Sequence, residues 1–501
     1  MSKAAGLDQT ATPLVDALQH CATQQNAAFH TPGHKRGQGI TNRQRKLFGR
    51  SAFQADLPEL PDLDNLFAPE GVILQAQQLA AEAFGPERTW FLANGSTCGI
   101  EAAILATCGP GDKIILPRNV HSSAISGLIL SGAIPIYIAP SYSEEWDLAL
   151  HIQPSDIEAA LSEHPDAKAV LIVSPTYHGI CSDVAAIANI THTHNIPLIV
   201  DEAHAPHFAF HPELPKSALA SGADIAIQSA HKVLSAFTQA AMLHAQGTRV
   251  NRDRISQCLQ LTQSTSPSYL LLSSLDACRH QMATNGFTLM SQTLALANEA
   301  FENLSKIYGL QVLQPAKGDQ TRLTVDVSSL GLTGFAADEI LHEQFSITAE
   351  LPALRHVMFI ISLGNITEDI RNLVNGFEQL CQLHPSIQNS PLSYHGTGKH
   401  ISAKSSPMED SQCLPFAVSR PSITPRQAFF AKKIPTDVHQ SIGRNCAETI
   451  CPYPPGIPIL LPGEPITQEA IDTLQAILES GGIITGCTDP TLETILTTAN
   501  P

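Results

Sequence analysis

The chain has 501 residues, 43% of them hydrophobic, and its 29 Lys and Arg against 46 Asp and Glu leave a net charge of −17. That is enough apolar material for two or three domains, while the acidic balance excludes the basic footprint of a nucleic-acid partner and mildly favours small cations. The opening MSKAAGLDQTATPLVDALQHCA has no basic stretch before an apolar core, and no later run reaches membrane-spanning length. The 11 cysteines are scattered without a CxxC pair, so a reduced, cytoplasmic protein with no membrane or nucleic-acid partner is expected.

Taken in order, Leu14, Val15, Leu18 and Cys21 recur at helical spacing and predict a short amphipathic helix over 13–28. Phe29-His-Thr-Pro-Gly-His-Lys-Arg-Gly37 reads as a loop, because glycines, a proline and basic side chains crowd together. From Asp56 to Gly71 prolines and acids alternate with leucines, which predicts an irregular segment laid along a surface, this subunit's or another's. A helical pattern returns from Val72 to Phe84. Arg88 to Asn94 reads as a strand that stops at Gly95-Ser96-Thr97-Cys98-Gly99, ahead of an alanine-rich helix from Ile100 to Thr107. Strand, hydroxyl-bearing turn and helix can hold a phosphate on free backbone N–H groups, although Ser and Thr also serve simply as caps. DKIILPRN offers a second strand. His121 follows it, placed either to lie over a flat ring or to cap a helix.

Strands at IPIYIAP, AKAVLIVSP and IPLIV, separated by helices at 157–162 and 184–194, predict a mostly parallel sheet covered by helices on both faces. Ligands in such sheets sit beyond the carboxyl ends of the strands, where Ser96, His121, Tyr177, Asp201 and Lys232 all fall. Asp201 ends a buried strand, and Lys232 is the one lysine in the apolar, small-residue stretch DIAIQSAHKVLSAFTQAAML. A poorly solvated lysine loses basicity and can form a Schiff base with an aldehyde, while a nearby acid can keep a pyridine ring protonated. Pyridoxal phosphate requires that pairing. By itself SAHK also fits a solvated lysine in a strand-to-helix loop. His192-Thr-His194, and Asp201 with His204 and His207, lack a complete ligand set, so no metal site is expected.

Beyond Met242, Gln263 to Ala277 reads as a Ser/Thr-rich loop before an apolar helix, and a long helix is predicted over 288–307. Strands and helices alternate again from about Leu310 to Leu380. The polar, Ser- and Pro-rich stretch from His384 reads as a linker, and order resumes at PRQAFFAKK and continues to a helix at Gln468 to Glu479.

FHTPGHKRG, LPELPDLDNLFAPEG, NGSTCGI, NVHSSA, SPTYHGI, DEAHAPHF, SAHK, TSPSY, PYPPGIP and PGE together resemble the bacterial ornithine/lysine/arginine decarboxylases, enzymes of the aspartate-aminotransferase-like fold that use pyridoxal phosphate. The resemblance implies an α/β chain of fold type I. It comprises an N-terminal arm (1–65), a large cofactor-binding domain with a mostly parallel sheet (66–290), a small α/β domain (291–383), a linker (384–425) and a C-terminal α+β domain (426–501). It implies that Lys232 is the Schiff-base lysine, Asp201 the partner of the pyridine nitrogen, His121 the stacking ring and Ala203 the small residue beneath it. Ser96, Thr97, Ser229 and His231 become phosphate ligands, His204 a further cofactor contact, and Ser264 or Thr265 a contact to a neighbouring subunit's phosphate. The wing domain that precedes HTPGHKRG in the larger family members is not expected, since that motif begins at His30, and a homodimer or homotetramer with its active site at the subunit interface is.

The implied reaction is loss of carbon dioxide from a basic amino acid, with Lys232 or His231 returning a proton to the α-carbon. The stretch VLSAFTQAAML after Lys232 carries no basic residue, which weighs against an aminotransferase. That activity, a carbon–sulfur lyase, and a catalytically silent polyamine-binding regulator are the alternatives. Glu448 is the candidate for gripping the far end of a dibasic substrate, with a structural helix acid as its plainer role.

Overall fold

The computed structural model describes residues 6–313, 315, 317–385, 421–453 and 455–499. Most of the expected linker lies outside them. Strands β1 (Arg88–Leu92), β2 (Lys113–Pro117) and β3 (Ile134–Ile138) alternate with helices and are followed by a small hairpin, β4 (Tyr142–Ser143) and β5 (Leu148–Ala149). Then come β6 (Ala169–Val173), β7 (Leu198–Asp201), β8 (Ile225–Gln228) and β9 (Ala241–Ala245). Seven of these form one sheet in the order β1-β9-β8-β7-β6-β2-β3, parallel throughout except for β9, which runs against both neighbours. Strands β6 to β8 are nearly continuous runs of Ala, Val, Ile and Leu, as strands buried on both faces must be.

One side of the sheet buries Leu92, Ile114, Leu116 and Ile227 against the helices Gly95–Thr107 and Ser122–Ser131, and further strand residues face Val184, Ile187 and Leu161. Gly99 makes the first of these contacts possible. A Cβ there would lie 2.8 Å from Leu92 Cδ1 and 2.9 Å from Ile227 Cγ2, so only glycine lets the helix press onto the sheet. The fold-type-I expectation of a mostly parallel sheet is borne out, with β9 as the exception.

Several element boundaries differ from the sequence-based expectation. The first helix stops at Thr23, and the helix predicted from Ile100 already begins at Gly95, so the hydroxyl-bearing turn forms its first turn. The long helix runs from Tyr269 to Leu304, through much of the expected Ser/Thr-rich loop and straight across position 290, where the large domain was expected to end. Pro267 and Ser268 supply the real break, and tertiary contacts decide the rest. Tyr269 is fully buried and its hydroxyl donates to the Asp64 carbonyl at 2.5 Å. Asp276 and Arg279, also buried, hold the N-terminal segment, Asp276 accepting from Leu14 N and Arg279 donating to the carbonyls of Gln9 and Ala11.

The smaller sheet has the order β10 (Gln311–Leu313), β11 (Arg322–Asp326), β13 (His356–Ile360), β12 (Leu351–Pro352) and is antiparallel. The last part of the chain packs Ile450, Leu460, Ile471, Leu474 and Ile495 into a core of its own. A buried ion pair is among the contacts that join it to the large domain, beside Leu461 in the large-sheet core and Arg426 on the carbonyls of Ile129 and Leu130. Arg118, just past β2, donates to the Glu464 carboxylate at 3.0 and 2.8 Å and to the carbonyls of Pro458 and Ile459 at 2.9 Å each. Every one of these contacts lies within the segment 458–464, so this arginine fixes that segment against the end of β2.

Removing one partner of a buried pair leaves the other charge desolvated and unpaired, at a cost of about 3–5 kcal/mol. Arg118→Ala is therefore expected to lower the unfolding free energy read from urea denaturation by that order. The double replacement Arg118→Met with Glu464→Met is expected to recover most of the loss. Equal losses in the single and double variants would show that the pair does not dock the two parts.

Candidate active site

The carboxyl ends of β7 and β8 place the central residues. Asp201 is the last residue of β7, in register with Val173 of β6 and Ile227 of β8, and it is buried. Its neighbour Glu202 is also buried, but both its oxygens are committed, to Ala218 N at 2.6 Å and Gln228 Nε2 at 2.7 Å. Asp201 Oδ1 accepts only the Ala203 N–H, at 3.2 Å. Of the two adjacent acids, Asp201 is the one left to meet a ligand.

Lys232 stands in the single helical turn Ala230–Val233 that follows β8. Its Nζ lies 2.9 Å from His204 Nε2 and 5.1 Å from the centre of the Tyr177 ring, and Tyr177 packs on His204 with ring centres 4.0 Å apart. Burial pushes the lysine amine down to about 8, against a pull upward from the Asp201 carboxylate, while Arg322 adds to the depression and Glu350 opposes it. Burial pushes the Asp201 carboxyl up, and the neighbouring His121 and Lys232 oppose that rise. Burial likewise holds His121 below its ordinary value and His204 well below, so both rings are neutral bases near neutral pH. His204 Nδ1 is buried with no partner among the described residues, and Arg322 Nη2 fixes the His204 carbonyl at 2.6 Å.

The expected stacking residue, His121, caps the helix Ser122–Ser131. Its side chain accepts from Ser123 N, and Ser122 N donates to the Gly456 carbonyl at 3.1 Å. Gly456 has φ of 78°, and a Cβ there would stand 3.1 Å from His121 Nε2, so the C-terminal part closes over this ring at a position reserved for glycine. The side chain therefore caps its helix within the same electrostatic neighbourhood as Asp201 and Lys232, both of which act on its titration.

Ser96 and Thr97 lie in the first turn of Gly95–Thr107, a helix with no side-chain cap from Asn94. The Ser229 hydroxyl donates to Ser96 Oγ at 2.9 Å, which brings the end of β8 to this uncapped terminus. The turn thus presents backbone N–H groups and two hydroxyls, the donor set an anion needs. Ala203 is buried, and its carbonyl accepts from Ser229 N at 3.3 Å. His231 is half-buried with Nδ1 3.1 Å from the Ala240 carbonyl. Ser264 and Thr265 are exposed, and Ser264 N reaches Asn94 Oδ1 at 3.4 Å.

Glu448 is brought elsewhere. It is buried in the C-terminal part, where one oxygen accepts from Thr488 N at 2.6 Å and the other from Leu496 N at 2.9 Å. Its carboxylate ties together backbone of its own core, so the substrate-gripping role is corrected to a structural one. Sequence reasoning missed Arg322, which opens the strand RLTVD, buried along its whole length; a charged residue next to Leu323 and Val325 is a readable signal. Among the described residues, no group of three or more His, Cys, Asp or Glu is placed to hold a metal ion, and no helix is long and apolar enough to cross a membrane.

Comparison with known proteins agrees with this geometry. Residues 12–323 match the family described as Orn/Lys/Arg decarboxylase, major domain, and residues 414–486 its C-terminal domain. An arginine decarboxylase of Bacillus subtilis (strain 168) is 38% identical over 497 residues, covering 98% of each chain. One of Halalkalibacterium halodurans is 37% identical, covering 97% of each. In fold the chain is similar to the lysine decarboxylase of Francisella novicida, with a TM-score of 0.80 at 21% identity over 97% of this chain and 81% of that one.

The depressed lysine gives a direct prediction. Acylation of Lys232 by an amine-directed reagent, followed by peptide mass spectrometry across pH, is expected to rise with a midpoint near 8. Asp201→Asn removes the charge that favours the ammonium and is expected to move the midpoint lower. A midpoint in the ordinary lysine range, or an upward move in the variant, would contradict the arrangement.

Proposed function

The chain belongs to the Orn/Lys/Arg decarboxylase family, and from that premise we propose that it converts arginine to agmatine and carbon dioxide with pyridoxal phosphate held at Lys232. Decarboxylation of a basic amino acid is the activity of the family. Arginine is the proposed choice among such substrates, because the relatives that match over nearly the whole chain at 35–38% identity are arginine decarboxylases.

One observation carries the cofactor reading. A lysine amine of depressed basicity shares a buried neighbourhood with a carboxylate, Asp201, that has kept its hydrogen-bonding capacity free. The residues present fit pyridoxal phosphate by the chemistry of their donors. Lys232 offers an amine for the aldehyde, Asp201 an anion for the ring nitrogen, and His121 an aromatic face. Ala203 adds a small side chain. Ser96, Thr97, Ser229 and His231, at or beside the uncapped helix terminus, provide donors for the phosphate, and His204 a ring beside the amine. When bound, pyridoxal phosphate supplies the electron sink for the pair left on the α-carbon as carbon dioxide departs.

The chain's own residues do the rest. Asp201 keeps negative charge at the end of β7, where only a cationic partner offsets its burial. His204, neutral and with Nε2 2.9 Å from Lys232 Nζ, orients the amine by a hydrogen bond without adding charge. Lys232 and His231 are the groups from which a proton reaches the α-carbon once the carboxylate has gone. Ser264 and Thr265, exposed beside Asn94, fit a contact across a subunit interface in a homodimer, and we place the enzyme in the cytoplasm.

A carbon dioxide release panel with carboxyl-labelled arginine, lysine and ornithine tests the reading. Release fastest from arginine is expected, and Lys232→Ala abolishes it. Borohydride is expected to trap the cofactor on the peptide containing Lys232, and turnover retained by Lys232→Ala would refute the assignment.

A further inference from the structure

Between the hairpin β4–β5, the segment Leu351–His356 and the C-terminal segment around Ile457 lies a cavity of about 210 Å³. Its inner wall includes Tyr177, the ring beside Lys232, and its middle is apolar, with Leu148, Leu351, Pro352 and Ile457. A few polar side chains interrupt this mostly apolar wall. Asp147 is the one acid among the described residues lining the cavity, and His178, Arg355 and His356 stand near it. We propose that Asp147 and His356 form the subsite that takes the guanidinium group of the substrate's side chain.

The inference deepens the proposed function and rests on it for the identity of the cation. Asp147 is exposed, and Tyr142 donates its hydroxyl to Oδ1, which orients the carboxylate and leaves Oδ2 to accept. His356 is only 3% exposed, and its Nδ1 has no hydrogen-bond partner among the described residues although the ring meets the Trp146 backbone, so a buried ring nitrogen is left unfilled at the cavity wall. Burial holds His356 below its ordinary value, and pushes its neighbour His178 down to about 3, so neither ring carries a charge that would repel a cation.

The local charge has the right sign. Arg355 is paired with Asp326 at 3.1 Å, which leaves the Asp147 carboxylate unbalanced. A planar guanidinium has N–H groups in a fork and so can meet a carboxylate and a second acceptor at once, which the compact ammonium of lysine or ornithine does less well. Apolar walls between Tyr177 and Asp147 suit the methylene chain that joins the two ends of such a substrate.

The holoenzyme tests this with 5-guanidinopentanoate, which is arginine without its α-amino group, and with pentanoate as the control lacking the guanidinium. Calorimetry is expected to show at least tenfold tighter binding of the guanidinium compound to the unmodified enzyme, and Asp147→Asn is expected to erase the difference. Asparagine also tolerates the φ of 50° at this position, so the backbone is kept. In turnover, the same variant is expected to raise KM for arginine at least tenfold while kcat falls by less, and His356→Ala to weaken 5-guanidinopentanoate binding in the same direction. A guanidinium preference that survives in Asp147→Asn, or that is missing from the unmodified enzyme, overturns the subsite. Binding is read without turnover, so failure to release carbon dioxide from arginine would instead count against the proposed function.

Discussion

The structure depends on keeping one cation and one anion, Lys232 and Asp201, together in a place where water does not stabilise either. Burial alone would neutralise both, the lysine by losing its proton and the acid by keeping one, and their mutual attraction opposes that outcome. The balance leaves an amine whose basicity is far below that of a surface lysine, beside an acid with unused hydrogen-bonding capacity. The neighbours are chosen consistently with it. His121 and His204 are kept neutral by burial, and Glu202, the other acid of the pair, is tied off by Ala218 and Gln228.

Such a balance has to be built from rigid parts, and the large sheet provides them. Asp201 ends β7 and Lys232 stands in the turn that follows the adjacent β8, two strands whose register is fixed by apolar side chains on both faces. The uncapped N-terminus of the helix Gly95–Thr107 is set by Gly99, which lets the helix lie against the sheet, and by the Ser229 to Ser96 hydrogen bond, which ties its first turn to the end of β8. The C-terminal part is attached by the Arg118–Glu464 pair, by Arg426 on the carbonyls of Ile129 and Leu130, and by Leu461, which joins the core of the large sheet. Through Gly456 and Ile457 it also walls both His121 and the neighbouring cavity. A module with apolar residues of its own thus reaches the neighbourhood of the site through the loop around Gly456 and Ile457, which the buried ion pair helps to hold.

Much of this was legible in the amino-acid sequence. Apolar runs ending in Asp201 and leading to Lys232, alternating with helical patterns, determine a mostly parallel sheet and place ligand-facing residues at its carboxyl ends, since a buried strand has to be apolar along its length and polar only where it emerges. The helix at Gln468–Glu479 is a local matter of periodicity and of its Thr467 cap, and it too could be read directly.

Tertiary structure alone decided which polar groups near the site are free and which are spent. Glu448 looked available in sequence, yet two backbone amides far along the chain consume it. Asp147 sits in a stretch without pattern and becomes a cavity acid only because a short hairpin, the small sheet and the C-terminal loop converge on it. Whether a carboxylate is available depends on hydrogen bonds to residues distant in the chain, and local spacing carries no record of them.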